Sequence, residues 1–256
     1  MPENPVSTEF KDHFSTGSKT YGKYRPGYPP ALFQYLASVT SAHDWAWDCA
    51  TGTGQAAVTL ANYYSQVTAT DASREQITKA RQRAGVFYKV APAEASTLPD
   101  SSVDLITVAQ ALHWFDIPAF SREVDRVLKP GGALAVWTYD LLQVSPDFDK
   151  VINELYSDIL AGCWPEERKI VESGYQEIDF PLKQIQPPLI LMKENWDLHH
   201  LTCYLSTWSA VKRYQKKKGS DPLMFCQGKL ETAWGNPRTP RLIIWPLTLK
   251  IWINEP

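Results

Sequence analysis

The feature that most constrains this chain is the run Trp47-Asp48-Cys49-Ala50-Thr51-Gly52-Thr53-Gly54, where a short apolar stretch meets an acid and then turns through two glycines. A second acid, Asp71, ends the next apolar stretch. Glycine reaches positive φ without a Cβ penalty and lets a ligand lie against the main chain. In open α/β sheets ligands bind beyond the carboxyl ends of the strands, and an acid ending the second strand is placed to meet ribose hydroxyls. The layout predicts a strand over 45–48, a helix over 55–64 opening at the turn, and a second strand over 66–70.

The alternation continues. Ala31 to Val39 has helical spacing, and Ser73 with Gln76 forms a capping box that predicts a helix to Ala84, with Gly85 as its stop. Strands are expected over 86–90, 103–109 and 133–139. Between the last two, Asp116 and Pro118 open a helix with Phe120, Val124, Val127 and Leu128 on one face, ended by Lys129-Pro130-Gly131-Gly132. Strands alternating with helices imply an α/β fold with a doubly wound, mostly parallel sheet. Past Asp140 the pattern predicts helix over 141–163, extended chain over 178–196, one helix over 198–218 with a basic end, and a strand over 241–253. Within that last strand Pro246 must take an edge or bulge position. These segments complete an expected seven-stranded sheet with helical cover over its carboxyl end. All 256 residues are read as one domain. It comprises an amino-terminal arm (1–30), a cofactor-binding core (40–140), and substrate-covering helices with the last strands (141–256).

A formal net charge of -2 gives no electrostatic reason to expect nucleic acid or an anionic membrane. Cys49, Cys163, Cys203 and Cys226 are far apart without a C-x-x-C pair, so no metal is expected and a reducing, cytoplasmic setting fits. No signal peptide is read in the polar first residues, and no apolar run approaches the ~20 residues of a membrane helix. A small-molecule acceptor and a monomer or weak homodimer are the expected partners and state.

Two cofactors compete for the glycine turn. Gly52-Thr53-Gly54-Gln55-Ala56-Ala57 satisfies the relaxed dinucleotide pattern G-x-G-x-x-A, with Asp71 as the ribose acid. Asp48 argues for a ligand carrying its own ammonium group, as S-adenosylmethionine does. The segment 48–54 resembles the first motif of class I S-adenosylmethionine-dependent methyltransferases, and Asp71 matches the acid ending their second strand. Ala93-Glu94 before Leu98-Pro99 resembles their third-strand motif, and Leu128-Lys129-Pro130-Gly131-Gly132 their signature before the fifth strand. Tyr24-Arg25-Pro26-Gly27-Tyr28-Pro29 with Gln110-Ala111-Leu112-His113-Trp114-Phe115 resembles the trans-aconitate methyltransferase-like branch.

The resemblance implies in-line methyl transfer from S-adenosylmethionine to a small molecule, possibly a carboxylate. On the cofactor side it implies Tyr21, Asp48, Ala50, Gly52, Gly54, Asp71, Ala93, Glu94 and Gln110. On the reacting side stand His113, Trp114 and Arg25: His113 as a base if the acceptor needs one, Trp114 against the sulfonium, and Arg25 pairing a carboxylate. Ala50 replaces the usual first glycine, which is tolerated if its φ stays negative. Pro92 replaces the acid that reads adenine in many relatives. Tyr21, Tyr24, Trp114, Trp137, Tyr139 and Trp208 are candidates for the pocket wall. The alternatives are a nicotinamide-dependent oxidoreductase and a non-catalytic cofactor-binding partner subunit.

Overall fold

Short apolar runs separated by glycine and proline turns become strands here, and amphipathic runs become the helices between them. The structure, a computed structural model, describes residues 24–255. In chain order these hold α1 (Pro30–Ser38), β1 (Trp45–Cys49), α2 (Gln55–Leu60), β2 (Gln66–Asp71), α3 (Arg74–Thr78), β3 (Val86–Val90) and β4 (Val103–Ala109). A 3-10 turn (Leu112–Trp114), α4 (Ile117–Val127), β5 (Leu128–Tyr139) and α5 (Pro146–Glu154) follow. The rest comprises a π turn (Leu155–Ile159), α6 (Arg168–Glu172), β6 (Lys183–Ile185), β7 (Ile190–Trp196), α7 (Leu198–Ser206), α8 (Ser209–Lys218), a 3-10 turn (Pro222–Phe225), α9 (Gln227–Trp234) and β8 (Arg241–Ile253).

The sheet runs β3-β2-β1-β4-β5-β8, and then β6 and β7 lie end to end along the far side of β8. Eight strands thus fill seven places. The first five are parallel, and β8 pairs antiparallel to β5 with Ala133 opposite Ile253 and Tyr139 opposite Leu247. Strands β1, β4 and β5 are buried on both faces, as a parallel sheet covered by helices requires. Each fully buried Val, Leu or Ile there contributes about 1.5–3 kcal/mol of transfer free energy. At the amino ends of β1 and β4 the buried Asp104 accepts the amides of Asp44 and Trp45 at 2.8 Å each and the Lys129 ammonium at 2.8 Å. Among the described residues no helix is long and apolar enough to cross a membrane.

Several sequence expectations are corrected. The helix after Ser73 does receive its cap, Gln76 N donating to Ser73 Oγ, but it stops at Thr78 rather than Ala84. The following residues are drawn to the glycine turn, with Arg81 N donating to Thr53 O at 3.1 Å and Tyr88 Oη donating to Arg81 O at 2.6 Å. The helix expected over 198–218 is broken at Thr207 and Trp208, where Thr207 Oγ1 donates to Tyr204 O and Thr207 O accepts Arg25 Nη2. Pro246 lies inside the sheet, opposite Leu191 of β7, rather than at an edge or bulge. Its carbonyl accepts Asp140 N just where pairing with β5 ends, so the missing N–H costs no rung.

Candidate active site

The loop between β1 and α2 is built by the residues that line it. Thr51 N donates to Thr70 O at 2.8 Å, Gly54 N to Thr51 O at 3.0 Å, and Gly52 N to Asp71 Oδ2 at 2.8 Å. Gly52 and Gly54 stand at φ +57° and +82°. A Cβ on Gly52 would project into open space, leaving a cradle over the main chain, whereas a Cβ on Gly54 would strike the Tyr88 hydroxyl and ring. Ala50 is corrected: it stands at φ 54°, in the left-handed region, instead of at negative φ. That conformation costs an L-residue about 1–2 kcal/mol.

Asp48 lies beneath this loop, 1% exposed. Its Oδ2 accepts Thr51 Oγ1 at 2.5 Å and Ala57 N at 3.1 Å, and its Oδ1 accepts Thr107 Oγ1 at 2.8 Å. Burial pushes its carboxyl up to about 6 against the pull of these donors. It therefore pins the turn to α2 and β4 from below. Asp71 stands beside Gly52 at the carboxyl end of β2, held by Gly52 N and by Ser73 N at 2.8 Å. After β3, Ala93 is buried and Glu94 accepts Asp116 N at 3.0 Å, which ties this loop to the start of α4. Pro92 is exposed. Gln110 follows β4 directly, at φ 58°. Tyr21 lies outside the described residues.

A small cavity of ≈ 60 Å³ opens beside Gln110 at the carboxyl ends of β4 and β5. Arg25 and Arg168 enter it from opposite parts of the chain, with Asp140 and Ser209 at its rim. Its wall is aromatic: Tyr139, Tyr156, Trp164, Tyr204 and Trp208. Arg25 Nη1 donates to Tyr139 Oη at 2.8 Å and its guanidinium lies 5.2 Å from the Tyr204 ring centroid. Arg168 Nε donates to Tyr156 Oη at 2.9 Å and lies 5.2 Å from the Trp164 centroid. Both cations are thus fixed against ring faces. The segment carrying Arg25 is bound to α2, since Gln55 Nε2 donates to Pro26 O at 3.0 Å.

His113 follows β4 on the 3-10 turn, with its ring 4.7 Å from that of Trp114. Burial, with Arg168 nearby, pushes its pKa down to about 3. It is a neutral imidazole at physiological pH and a hydrogen-bonding group rather than a proton acceptor. Of the expected wall residues, Tyr139 and Trp208 line the cavity, and Trp137 does not. It is fully buried against Tyr28 and Phe33, because residue alternation along β5 turns it to the opposite face from Val136. Tyr24 packs edge-on against His200.

Tyr156, Trp164 and Arg168 line the cavity, Tyr175 lies beside His113, and all four went unrecognised in the sequence. Their local signal is faint: Trp164 and Arg168 have i, i+4 spacing around Pro165, and Tyr156 sits in a π turn, a feature that recurs at functional sites.

Acids gather near the carboxyl ends of β1, β2 and β3 around a glycine cradle, and cations beyond β4 and β5, which makes this edge of the sheet the candidate site. A family described as a methyltransferase domain matches residues 47–136. A protein of Dictyostelium discoideum named as a methyltransferase is 34% identical over 223 residues, covering 86% of this chain and 85% of its own. A structure named as a type II methyltransferase from Anaeromyxobacter dehalogenans superposes with a TM-score of 0.87 at 41% identity, over 91% of this chain and 99% of that one. An uncharacterised methyltransferase of Schizosaccharomyces pombe is 32% identical over 129 residues, 48% of this chain and 51% of its own. The chain belongs to the class I S-adenosylmethionine-dependent methyltransferases. Its cofactor is S-adenosylmethionine, and the nicotinamide and non-catalytic alternatives are set aside.

Proposed function

We propose that this methyltransferase methylates a carboxylate oxygen of a small organic acid, in keeping with its resemblance to the trans-aconitate methyltransferase-like branch. The observation that carries the reading is the convergence of Arg25 and Arg168 on one aromatic cavity next to Gln110. Guanidinium forks recognise carboxylates bidentately, and stacking on Tyr204 and Trp164 holds both forks in place.

Held at the Gly52 cradle and Asp71, S-adenosylmethionine would supply an electrophilic methyl carbon activated by its positively charged sulfur. The protein's part is alignment, and holding two reactants in a near-attack geometry supplies about 7–11 kcal/mol of such a barrier at best. On the cofactor side, the Gly52 cradle, Asp71 and the loop at Ala93 and Glu94 receive the adenosyl and methionine portions, with Asp48 and Ala50 setting the turn. On the acceptor side, Arg25 and Arg168 bind and orient the acid, and Trp114 and His113 close the junction. A carboxylate is already ionised at neutral pH, so neutral His113 need take no proton. One domain carries both halves in this reading.

The test is a methyl-transfer assay over small acids, amines, phenols and thiols, followed by Arg168→Ala. Carboxylate turnover is expected, and the variant should raise acceptor KM by about tenfold or more while cofactor affinity stays within about twofold. Turnover confined to amines, phenols or thiols would overturn the acceptor class. Asp71→Ala should abolish cofactor binding in calorimetry.

A further inference from the structure

The acceptor cavity is small and mixed in charge. Its ≈ 60 Å³ holds roughly five waters, room for a carboxylate end and little more. Gln110 Oε1 accepts Thr138 Oγ1 at 3.1 Å, which leaves Gln110 Nε2 buried and without a partner among the described residues. That donor joins Arg25 and Arg168 in suiting the lone pairs of an acid. Asp140 stands among them with the opposite charge. Its backbone is fixed, N donating to Pro246 O at 3.0 Å, yet its carboxylate forms no hydrogen bond or ion pair with any described residue. Arg168 is engaged elsewhere, with Nε donating to Tyr156 Oη at 2.9 Å and facing Glu172 Oε1 at 3.8 Å. Partial burial pushes the Asp140 carboxyl up from the ordinary aspartate range, with Arg168 pulling it back. An acid in this place repels a bound carboxylate unless the ligand also brings it a hydrogen.

Asp140 lines a second, wider cavity of ≈ 330 Å³ as well, so it stands where the two meet. This groove lies over β8, between the turn after α6 and the β6 strand with the loop that follows it. Lys250 Nζ donates to Tyr175 O at 2.6 Å, which ties the turn to β8 and fixes that wall. Gln184 pairs with Trp252 across the sheet, and Lys250 lies two residues before Trp252, so Gln184 and Lys250 share one face. The lining offers amides and hydroxyls: Gln176, Gln184 and Gln186, with Ser173 and Thr248. Its volume falls at the low end of small-molecule sites, about 300–1,000 Å³. A lining of this kind suits a polar occupant.

We propose that Asp140 is a specificity-determining residue: it receives a hydroxyl or ammonium group of the acceptor, whose acid end lies between Arg25 and Arg168 and whose polar remainder lies in the groove. The substrate class is then an acid that also carries a hydroxyl or amino group. This rests on the carboxylate reading above. The methyl group still goes to the carboxylate oxygen, and Asp140 binds without taking a proton.

The experiment is a methyl-transfer assay on straight-chain acids from propanoate to octanoate, each beside its hydroxy- and amino-substituted counterparts. Wild type is expected to favour at least one substituted acid over its parent by about tenfold or more in kcat/KM. Asp140→Asn keeps an acceptor oxygen and loses the charge, so it should lose a preference for the amine and keep one for the hydroxyl. Asp140→Ala should lose both, each ratio falling to within about threefold of one. Gln184→Trp, which fills the groove, should raise KM about tenfold for the longest acid accepted relative to the shortest. Circular dichroism shows whether each variant is folded, and the wild-type series decides without any variant. Unsubstituted acids turned over as well as substituted ones overturn the proposal and leave the carboxylate reading standing. A preference that survives Asp140→Ala also overturns it. If amines, phenols or thiols turn over and no acid does, the carboxylate reading fails and this proposal with it.

Discussion

Replacing Asp48 by Asn isolates the energetic cost of the buried acid under the glycine turn. In the variant the amide carbonyl keeps the Thr51 and Ala57 donors, and the amide nitrogen faces Thr107. The Thr107 hydroxyl then rotates toward Trp47 O, 3.5 Å away. Wild-type Asp48 titrates at about 6 in the fold against an ordinary aspartate value of 3.8, chiefly through burial. A folded-state pKa raised above the unfolded one favours the fold fully below the unfolded value, and that contribution is lost as pH rises through the folded value. The rise corresponds to about 3 kcal/mol once Asp48 is ionised. Comparing variant with wild type cancels the titration of every other group. Urea unfolding should therefore show the difference moving toward the variant by about 2–3 kcal/mol between about pH 4 and about pH 7.5. In thermal unfolding the same change is about 5–10 °C. A stability difference that does not vary with pH would refute the argument that Asp48 is ionised against its surroundings.

Two further changes probe the turn. Ala50→Gly removes a left-handed penalty of about 1–2 kcal/mol and adds about 0.4–1 kcal/mol of unfolded-chain freedom. A net gain of about 0.5–1 kcal/mol in thermal unfolding is expected, and a loss would contradict the backbone assigned to Ala50. Gly54→Ala places a methyl against the Tyr88 ring at positive φ, and should destabilise by about 2 kcal/mol or more and abolish cofactor binding in calorimetry. Adding Tyr88→Ala should return about 1 kcal/mol of that loss by relieving the contact, which a double-mutant cycle measures.

The parallel half of the fold was legible because its signals are local: a buried strand, a turn residue, a cap, and again. Gly52, Gly54, Asp71 and Gln110 were picked out by the same local signals, and the structure places each of them near the carboxyl end of a strand. Helix ends were less legible where distant groups compete for the backbone. Arg81 leaves the helix pattern for Thr53, and Thr207 surrenders its carbonyl to Arg25, bonds that no neighbouring residue announces. The acceptor side was least legible. Arg168 opens the short helix α6 and Tyr175 lies in the turn after it, segments too short for periodicity to show, and only the order of strands brings them over β4 and β5. Pro246 misled for the same reason, since its tolerance depends on where β5 happens to stop.

The placing of β8 between β5 and the β6 and β7 pair has a consequence for how the enzyme is made. On the ribosome the parallel strands emerge first and can assemble in order, but β5 is left with an open edge whose partner residues, Leu247 to Ile253, are synthesised far later. An apolar strand waiting with a row of unpaired backbone groups is a template for misplaced pairing. Closing it requires contacts between parts of the chain distant in sequence, the slow kind. The nascent enzyme therefore passes through an interval in which its cofactor loop is already encoded and its sheet is still unsealed.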